Sequence, residues 1–293
     1  MTAALALCRF AHFMAAMLVF GSSAFLRLYA PLGLRRALSP RIRRLALAAS
    51  LVALATGLLW LALEAASMED DWSAAIDPDA IAAVLTDTAF GRAWVVHLAL
   101  AVALAAAVVL TARPGWVAIP ALSGLLLASL ALVGHAAMQS GPVGVLHRAN
   151  HALHLLTTGA WLGGLVPFIL CLDAYDKGKS DRPRDPVAAM ARFSFFGHFV
   201  VAAIVATGIV NVALVSGRAP LPPTTPYRAL LDAKIGLVAI MILLALFNRY
   251  ALVPGLGLNP PALPALRHNS AIEVGLGTII VALVSLFALL DPA

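Results

Sequence analysis

The stretch 147-HRANHALHLLTTGAWLGGL-165 begins as a polar turn and continues as an apolar helix. Its histidines His147, His151 and His154 are four and then three residues apart, so a helix places all three on one face. Thr158 continues the same stripe. A polar residue in an apolar helix is costly and usually faces the interior of a bundle. The stretch therefore predicts a helix that carries imidazoles along an inward-facing side.

The composition of the whole chain indicates an integral membrane protein. Of its 293 residues, 62% are hydrophobic and 12% are charged, and the mean hydropathy is +0.94. A soluble domain is about one quarter charged. The net charge of +6 does not indicate a nucleic-acid partner, because the basic residues lie in loops between apolar segments. Cys8 and Cys171 form neither a disulfide framework nor a CxxC pair.

Eight segments are apolar over the roughly 20 residues that a helix needs to cross a bilayer. We interpret the first as a retained span rather than a signal peptide, since no basic region precedes it. No stretch between the segments is long enough to fold alone, which predicts an all-α polytopic bundle forming a single transmembrane domain over 1–293. The predicted spans are 5–26, 45–66, 93–112, 116–138, 150–172, 193–216, 231–250 and 271–290.

The basic residues predict how the bundle is oriented. Fourteen of the 20 lysines and arginines fall in the loops on one side, and the acidic loop 67–92 lies on the other. Cytoplasmic loops carry the excess of lysine and arginine. Both termini are therefore expected to point outward, which means into the periplasm if the protein lies in a bacterial inner membrane.

Six of the eight histidines gather at the outer side of this predicted topology. Two of them, His97 and His147, lie near span ends, where an interfacial position at the headgroups explains them equally well. The four that lie deeper or in pairs are His12, His135, His151 and His154. On the inner side, His198 is expected to pack or form hydrogen bonds.

The outer histidines are accompanied by sulfur. Cys8 is one helical turn before His12, and Met138 is three residues after His135. Imidazole, thiolate and thioether groups are ligands for a soft or borderline metal, with sulfur favouring Cu(I), whereas Mg²⁺, Ca²⁺ and Mn²⁺ prefer carboxylates. The sequence predicts a metal site with His12, His135, His151 and His154 as ligands, and with Cys8, Met138 and His147 as entry or auxiliary groups.

The run 154-HLLTTGAWLGGL-165 resembles the H-x-L…W-x-G-G-L signature of the CopD/PcoD copper-resistance membrane protein family. Three further pieces agree in order: 9-RFAHFMAAMLVFG-21, 134-GHA-136, and 248-NRYALVP-254 followed by 272-IEVGLG-277. The resemblance implies an eight-span inner-membrane protein that takes copper from the periplasm toward the cytoplasm, often with a periplasmic CopC-type copper-binding partner. It matches His12, His135 and His154 to the histidines of the family.

Two other functions are open from the sequence. Histidines on opposed helices can hold haem iron from both faces, so the same histidines could serve a b-type cytochrome. A membrane scaffold or assembly factor would need no metal. The chain carries neither a Walker motif nor the DKTG phosphorylation sequence, so we expect a transporter-like protein rather than an ATP-consuming enzyme.

Overall fold

The computed structural model describes residues 1–111, 117–176, 184–216, 225–255, 262–287 and 289–290, and these residues form helices and turns without a strand. The α-helices of this part of the chain are α1 (Thr2–Leu28), α2 (Leu32–Glu69), α3 (Pro78–Asp87), α4 (Ala89–Leu110), α5 (Ala118–Ser129), α6 (Gly141–Asp176), α7 (Arg184–Ser216), α8 (Pro226–Phe247) and α9 (Ala262–Phe287). Short 3₁₀ turns lie at Trp72–Ala75, Leu130–Leu132, Gly134–Ala137 and Val253–Gly255, and a π-helical turn follows α8 at Asn248–Leu252.

Seven of these helices, namely α1, α2, α4, α6, α7, α8 and α9, are long and apolar enough to cross a membrane. A helix suits a lipid environment because it satisfies its backbone hydrogen bonds internally. The prediction of an all-helical chain with multiple apolar helices is confirmed. A further apolar helix, Ala118–Leu132, occupies the position of the predicted fourth span but is shorter than the others.

The predicted fourth span, 116–138, differs from the structure at its second half. The α-helix ends at Ser129, the backbone is extended at Val133, and Gly134 has a φ of +72°. Glycine adopts this left-handed conformation without the steric cost that other residues meet, so the chain can turn here. His135 therefore lies in the 3₁₀ turn that follows, and its side chain is outside the described residues.

The acidic loop contains a helix that the sequence did not predict. The Asp77 carboxylate accepts a hydrogen bond from the backbone N–H of Asp79 at 3.0 Å, and so caps the start of α3. Thr88 caps α4 in the same way, because its hydroxyl accepts from the N–H of Gly91 at 2.8 Å. Side-chain oxygens at this position satisfy N–H groups that have no partner within the helix. These caps place α3 directly before α4.

Helix α1 lies at the centre of the bundle and packs against α2, α5, α6 and α9. At its contact with α6, the two backbones meet around Gly21, Gly159 and Gly163. Small residues at such a crossing allow two helices to approach closely. Of the two glycines that follow Trp161, Gly163 meets the α1 backbone and Gly164 meets the Phe193 ring of α7. The contact with α1 places the α6 histidines beside the middle of α1.

Candidate functional site

The three histidines of the α6 stripe line one cavity, as the helical spacing predicts. The cavity has a volume of about 170 Å³, and its walls come from α1, α6, α7, α8 and α9. The rings of His151 and His154 are nearly parallel, at 14°, with their centroids 6.4 Å apart. His147 is buried, and Gln139 Oε1 lies 3.1 Å from its Nδ1. The stripe therefore forms one wall of an enclosed space between helices.

Helix α7 orients the two deeper histidines. The Thr207 hydroxyl donates to the backbone oxygen of Ala203 at 2.6 Å, so toward His154 Nδ1, 2.8 Å away, it can only accept. This contact favours the tautomer of His154 with its proton on Nδ1, in which Nε2 is an unprotonated lone pair, the form that binds a metal. On the neighbouring ring, the amide of Asn211 lies 3.3 Å from His151 Nδ1, and its oxygen accepts from Asn150 at 2.8 Å.

Two cationic side chains also line this cavity, a position that the sequence did not predict for them. The Arg9 guanidinium lies over the ring of Trp60, 4.9 Å from its centroid, and Glu64 is its electrostatic partner. Lys234 Nζ lies 5.6 Å from the ring centroid of Phe287. Aromatic faces attract a cation in this way. Their place in the cavity follows from how α1 and α8 are rotated, which no local pattern reveals.

His12 does not line this cavity but pairs with His97 of α4. The two Nε2 atoms are 3.0 Å apart, and both side chains are fully enclosed. The ring of Trp94 stacks on His97 at 4.4 Å and 16°, and Trp60 meets His12 edge-on at 5.8 Å. From the sequence alone, a position at the lipid headgroups explained His97 as well as a ligand role did. The structure instead buries it in the core of the helix bundle.

The remaining predicted ligands are placed as follows. Cys8 is buried, and its thiol donates to the backbone oxygen of Thr56 at 3.2 Å, one turn from His12. Met138 is 74% exposed. Among the described residues, no group of three or more His, Cys, Asp or Glu side chains is positioned to hold a metal ion. Because the His135 side chain lies outside those residues, the predicted four-histidine site stays a prediction.

Comparison with known families identifies the chain through both of its halves. The family model described as copper resistance protein D-like, N-terminal domain, matches residues 1–145, and the one described as copper resistance protein D matches residues 187–287. Over 97% of each chain, 34% of the residues are identical to those of the inner membrane protein YebZ of Escherichia coli (strain K12). The chain belongs to the copper resistance protein D family. The resemblance seen in the motifs is confirmed.

Two more relatives of this family member carry copper in their names. Copper resistance protein D of Pseudomonas syringae pv. tomato is 29% identical over 97% of this chain and 95% of its own length. Copper transport protein CutJ of Bacillus subtilis (strain 168) is 31% identical over 78% of this chain and 43% of its own length. No solved structure matches the chain. The α6 histidines fall between the two family-model matches, whereas His12 and His97 both fall within the first.

A second polar cluster lies near the start of α9. The Asn248 amide donates to Glu273 Oε1 at 2.6 Å, and the Trp161 indole also bonds this carboxylate. Asn269 in turn donates to Asn248 Oδ1 at 2.8 Å. These groups border a cavity of about 320 Å³, which Ser194, His198 and Arg249 also line. His198 makes the hydrogen bonds expected of it, with its Nε2 3.0 Å from the Tyr250 hydroxyl and its Nδ1 3.1 Å from the backbone oxygen of Ser194.

Proposed function

We propose that this protein takes copper from the periplasm toward the cytoplasm across the bacterial inner membrane. The observation that carries the proposal is the histidine stripe of a copper resistance D family member, which lines an interhelical cavity. The relatives named for copper resistance and copper transport support the same cargo. The helices form one transmembrane domain of eight spans, with Ala118–Leu132 as the short span, and both termini point outward.

Copper first meets the α6 stripe. His151 and His154 are the principal ligands of this step, and His147 serves at the entrance. The other outer ligands that the sequence predicts are His12 with Cys8 on α1 and His135 with Met138 after α5. Of these, His12 lies outside the cavity of the stripe and faces His97. Imidazole binds copper in both of its common oxidation states. The bond that fixes the Nδ1 proton of His154 supports this role, because it leaves the Nε2 lone pair for the metal.

A chain of cavities supports a path below this site. His154 lines both the outer cavity and a second one of about 490 Å³ between α6, α7, α8 and α9. Trp161 lines the second cavity and the one that holds Glu273. The Thr158 hydroxyl borders the first two, and its oxygen is buried without a hydrogen-bond partner. A buried hydroxyl with no partner is costly, so a passing ion or water would satisfy it.

A periplasmic CopC-type protein delivers the copper in this proposal, and the surrounding lipid bilayer is the other partner. The chain works as a transporter, and copper is its cargo. Energy for net uptake comes from outside the chain, since its sequence carries no ATPase motif.

Copper analysis of the detergent-purified full-length protein tests the site. We expect His154→Ala and His151→Ala to lower the copper bound per protein and the uptake of copper by cells that express them. His268→Ala is the matched control, because it removes an exposed histidine that lies outside the three cavities. Unchanged stoichiometry and uptake in both α6 variants would refute the site and favour a scaffold role. A Soret band in the spectrum of the same sample would refute the copper proposal in favour of haem.

Cysteine labelling from either side of the membrane tests the orientation. A single cysteine introduced at Ser73, in the acidic loop, is expected to react with an impermeant thiol reagent added to the periplasmic side. A cysteine at Lys179 is expected to react only after the inner membrane is opened. The background for both carries serine at the two native cysteines. The reverse pattern would show that the termini point inward.

A further inference from the structure

We propose that His12 and His97 form a linear two-coordinate site for Cu(I), separate from the α6 stripe. The site goes beyond the proposed function, because it stands whether or not copper follows the α6 cavities. Its two ligands lie on α1 and α4 and are 0% and 1% exposed. Their Nε2 atoms face one another at 3.0 Å.

The protons of the two rings are fixed by hydroxyl groups. Thr56 Oγ1 donates to the backbone oxygen of Val52 at 2.6 Å, and Ser129 Oγ donates to that of Leu126 at 2.7 Å. A hydroxyl has one proton, so a hydroxyl that donates to the backbone accepts a hydrogen bond from the imidazole beside it. Those imidazole nitrogens are His12 Nδ1 at 3.0 Å and His97 Nδ1 at 2.8 Å.

The backbone gives an independent check on the first ring. His12 also bonds the backbone oxygen of Ala53, an atom that only accepts hydrogen bonds. This oxygen lies beside Thr56, whose hydroxyl is 3.2 Å from it. These two acceptors favour the tautomer in which the neutral His12 ring has its proton on Nδ1, the nitrogen that faces Thr56. Beside His97, the Ser129 hydroxyl is the corresponding acceptor.

With both protons on Nδ1, as the proposal requires, the two Nε2 atoms are lone pairs that point at one another. A neutral imidazole carries one N–H, and in each ring Nδ1 has it. Two acceptors in contact inside a dry core repel each other unless a cation lies between them. Metal-binding histidines show this same pattern, in which one nitrogen donates to a fixed acceptor and the other binds the metal. The geometry thus supplies two aligned ligands.

The number of ligands and the aromatic rings around the pair favour a soft ion with a single positive charge. Zn²⁺ in a closed site takes four ligands, and among the described residues no group of three suitable side chains is available here. A single positive charge is less costly to bury than two. Trp94 stacks on His97 and Trp60 meets His12, and aromatic faces favour a cation beside them. Cu(I) accepts two imidazoles in line.

Binding requires a small movement of the two rings. With metal–nitrogen distances of roughly 2 Å, the two Nε2 atoms must stand about 4 Å apart. The rings therefore separate by about 1 Å, which a rotation of either side chain against its hydroxyl partner supplies. Cys8 lies one turn before His12, but its thiol donates to the backbone oxygen of Thr56, and it does not form a three-ligand group with the pair.

Copper K-edge absorption on the reduced, full-length protein in detergent tests the site. With one equivalent of Cu(I), the wild type should show the intense pre-edge feature of linear Cu(I) with two nitrogen neighbours. His97→Gln and His12→Gln should lose this feature and weaken Cu(I) binding on the order of 100-fold, measured against a competing Cu(I) chelator. Glutamine is close to histidine in length and keeps a polar amide in the core, and size-exclusion chromatography of each variant checks that the fold is retained. His268→Gln, at an exposed position of α9, is the matched control and should behave as the wild type.

The outcomes separate this site from the α6 stripe. Retention of the linear signal in both glutamine variants, or its absence from the wild type, would overturn the proposal. Loss of the signal in His151→Ala but not in His97→Gln would place Cu(I) on α6 and also overturn it, while leaving the proposed function intact. Nitrogen-15 NMR of the metal-free protein gives a direct check. An N–H on Nε2 of either ring would show that the pair shares a proton, which also contradicts the proposal.

Discussion

The substitution Gly163→Ala should push helices α1 and α6 apart. A Cβ atom built at Gly163 of α6 would lie 2.9 Å from the carbonyl carbon of Met17 and 3.0 Å from Cα of Gly21, and it would be closer still to the Met17 oxygen. These are backbone atoms of α1, so no side chain can rotate out of the way. Carbon atoms pack at about 3.5–4.0 Å. The helices must therefore move apart by about 0.5–1 Å.

The cost of this movement can be worked out from two opposing terms. Overpacking a well-packed contact costs about 1–3 kcal/mol, and a rigid backbone neighbour puts Gly163→Ala near the upper end. Replacing glycine by alanine inside a helix stabilises the helix by up to about 1 kcal/mol, because alanine has the higher helix propensity. The net loss is about 2 kcal/mol. Gly275→Ala in α9 gains the same helix term without the clash, because nothing lies within 4 Å of its Cβ position.

Both variants gain the same helix-propensity term. The difference between their free energies of unfolding therefore gives the cost of the clash alone, about 3 kcal/mol. For a chain of this size, that difference corresponds to about 6 °C in the apparent melting temperature. Both variants and the wild type would be heated in the same detergent, and the fraction that stays monodisperse would be measured by size-exclusion chromatography. If Gly163→Ala melts together with Gly275→Ala, the backbones of α1 and α6 are not in contact and the reasoning fails.

Three further changes test neighbouring features. Thr207→Val removes the hydroxyl that lies 2.8 Å from His154 Nδ1, and it should weaken copper binding about 10-fold. An unchanged copper affinity would show that this hydrogen bond does not orient the ring. Asn248→Leu removes the amide that donates to buried Glu273 at 2.6 Å, and it should lower the free energy of unfolding by about 1–3 kcal/mol. A stability equal to that of the wild type in chemical denaturation would contradict this expectation. Arg43→Ala removes the guanidinium that donates to the last carbonyls of α4, and should cost less than about 1 kcal/mol in the same assay, because part of the side chain is exposed. A larger loss would show that Arg43 holds the end of α4 in place.

The positions of the helices were largely predictable from hydropathy. A run of about 20 apolar residues is a property of the local sequence, and α1, α4 and α9 follow the predicted spans to within several residues at most ends. The length of α5 was not predictable in this way. Hydropathy averages over residues and takes no account of the left-handed backbone of Gly134, which turns the chain before the apolar run ends.

The candidate site likewise has one part that the sequence predicted and one part that it did not. The sequence by itself determined that His147, His151 and His154 share a face, because the helical period depends only on the spacing of residues along one segment. Only the tertiary structure decided that His12 meets His97. The partner of a residue depends on how each helix rotates about its own axis and which helix packs beside it. In this protein the glycine contact between α1 and α6 constrains that arrangement, with His12 turned toward α4 and the α6 histidines toward the cavity.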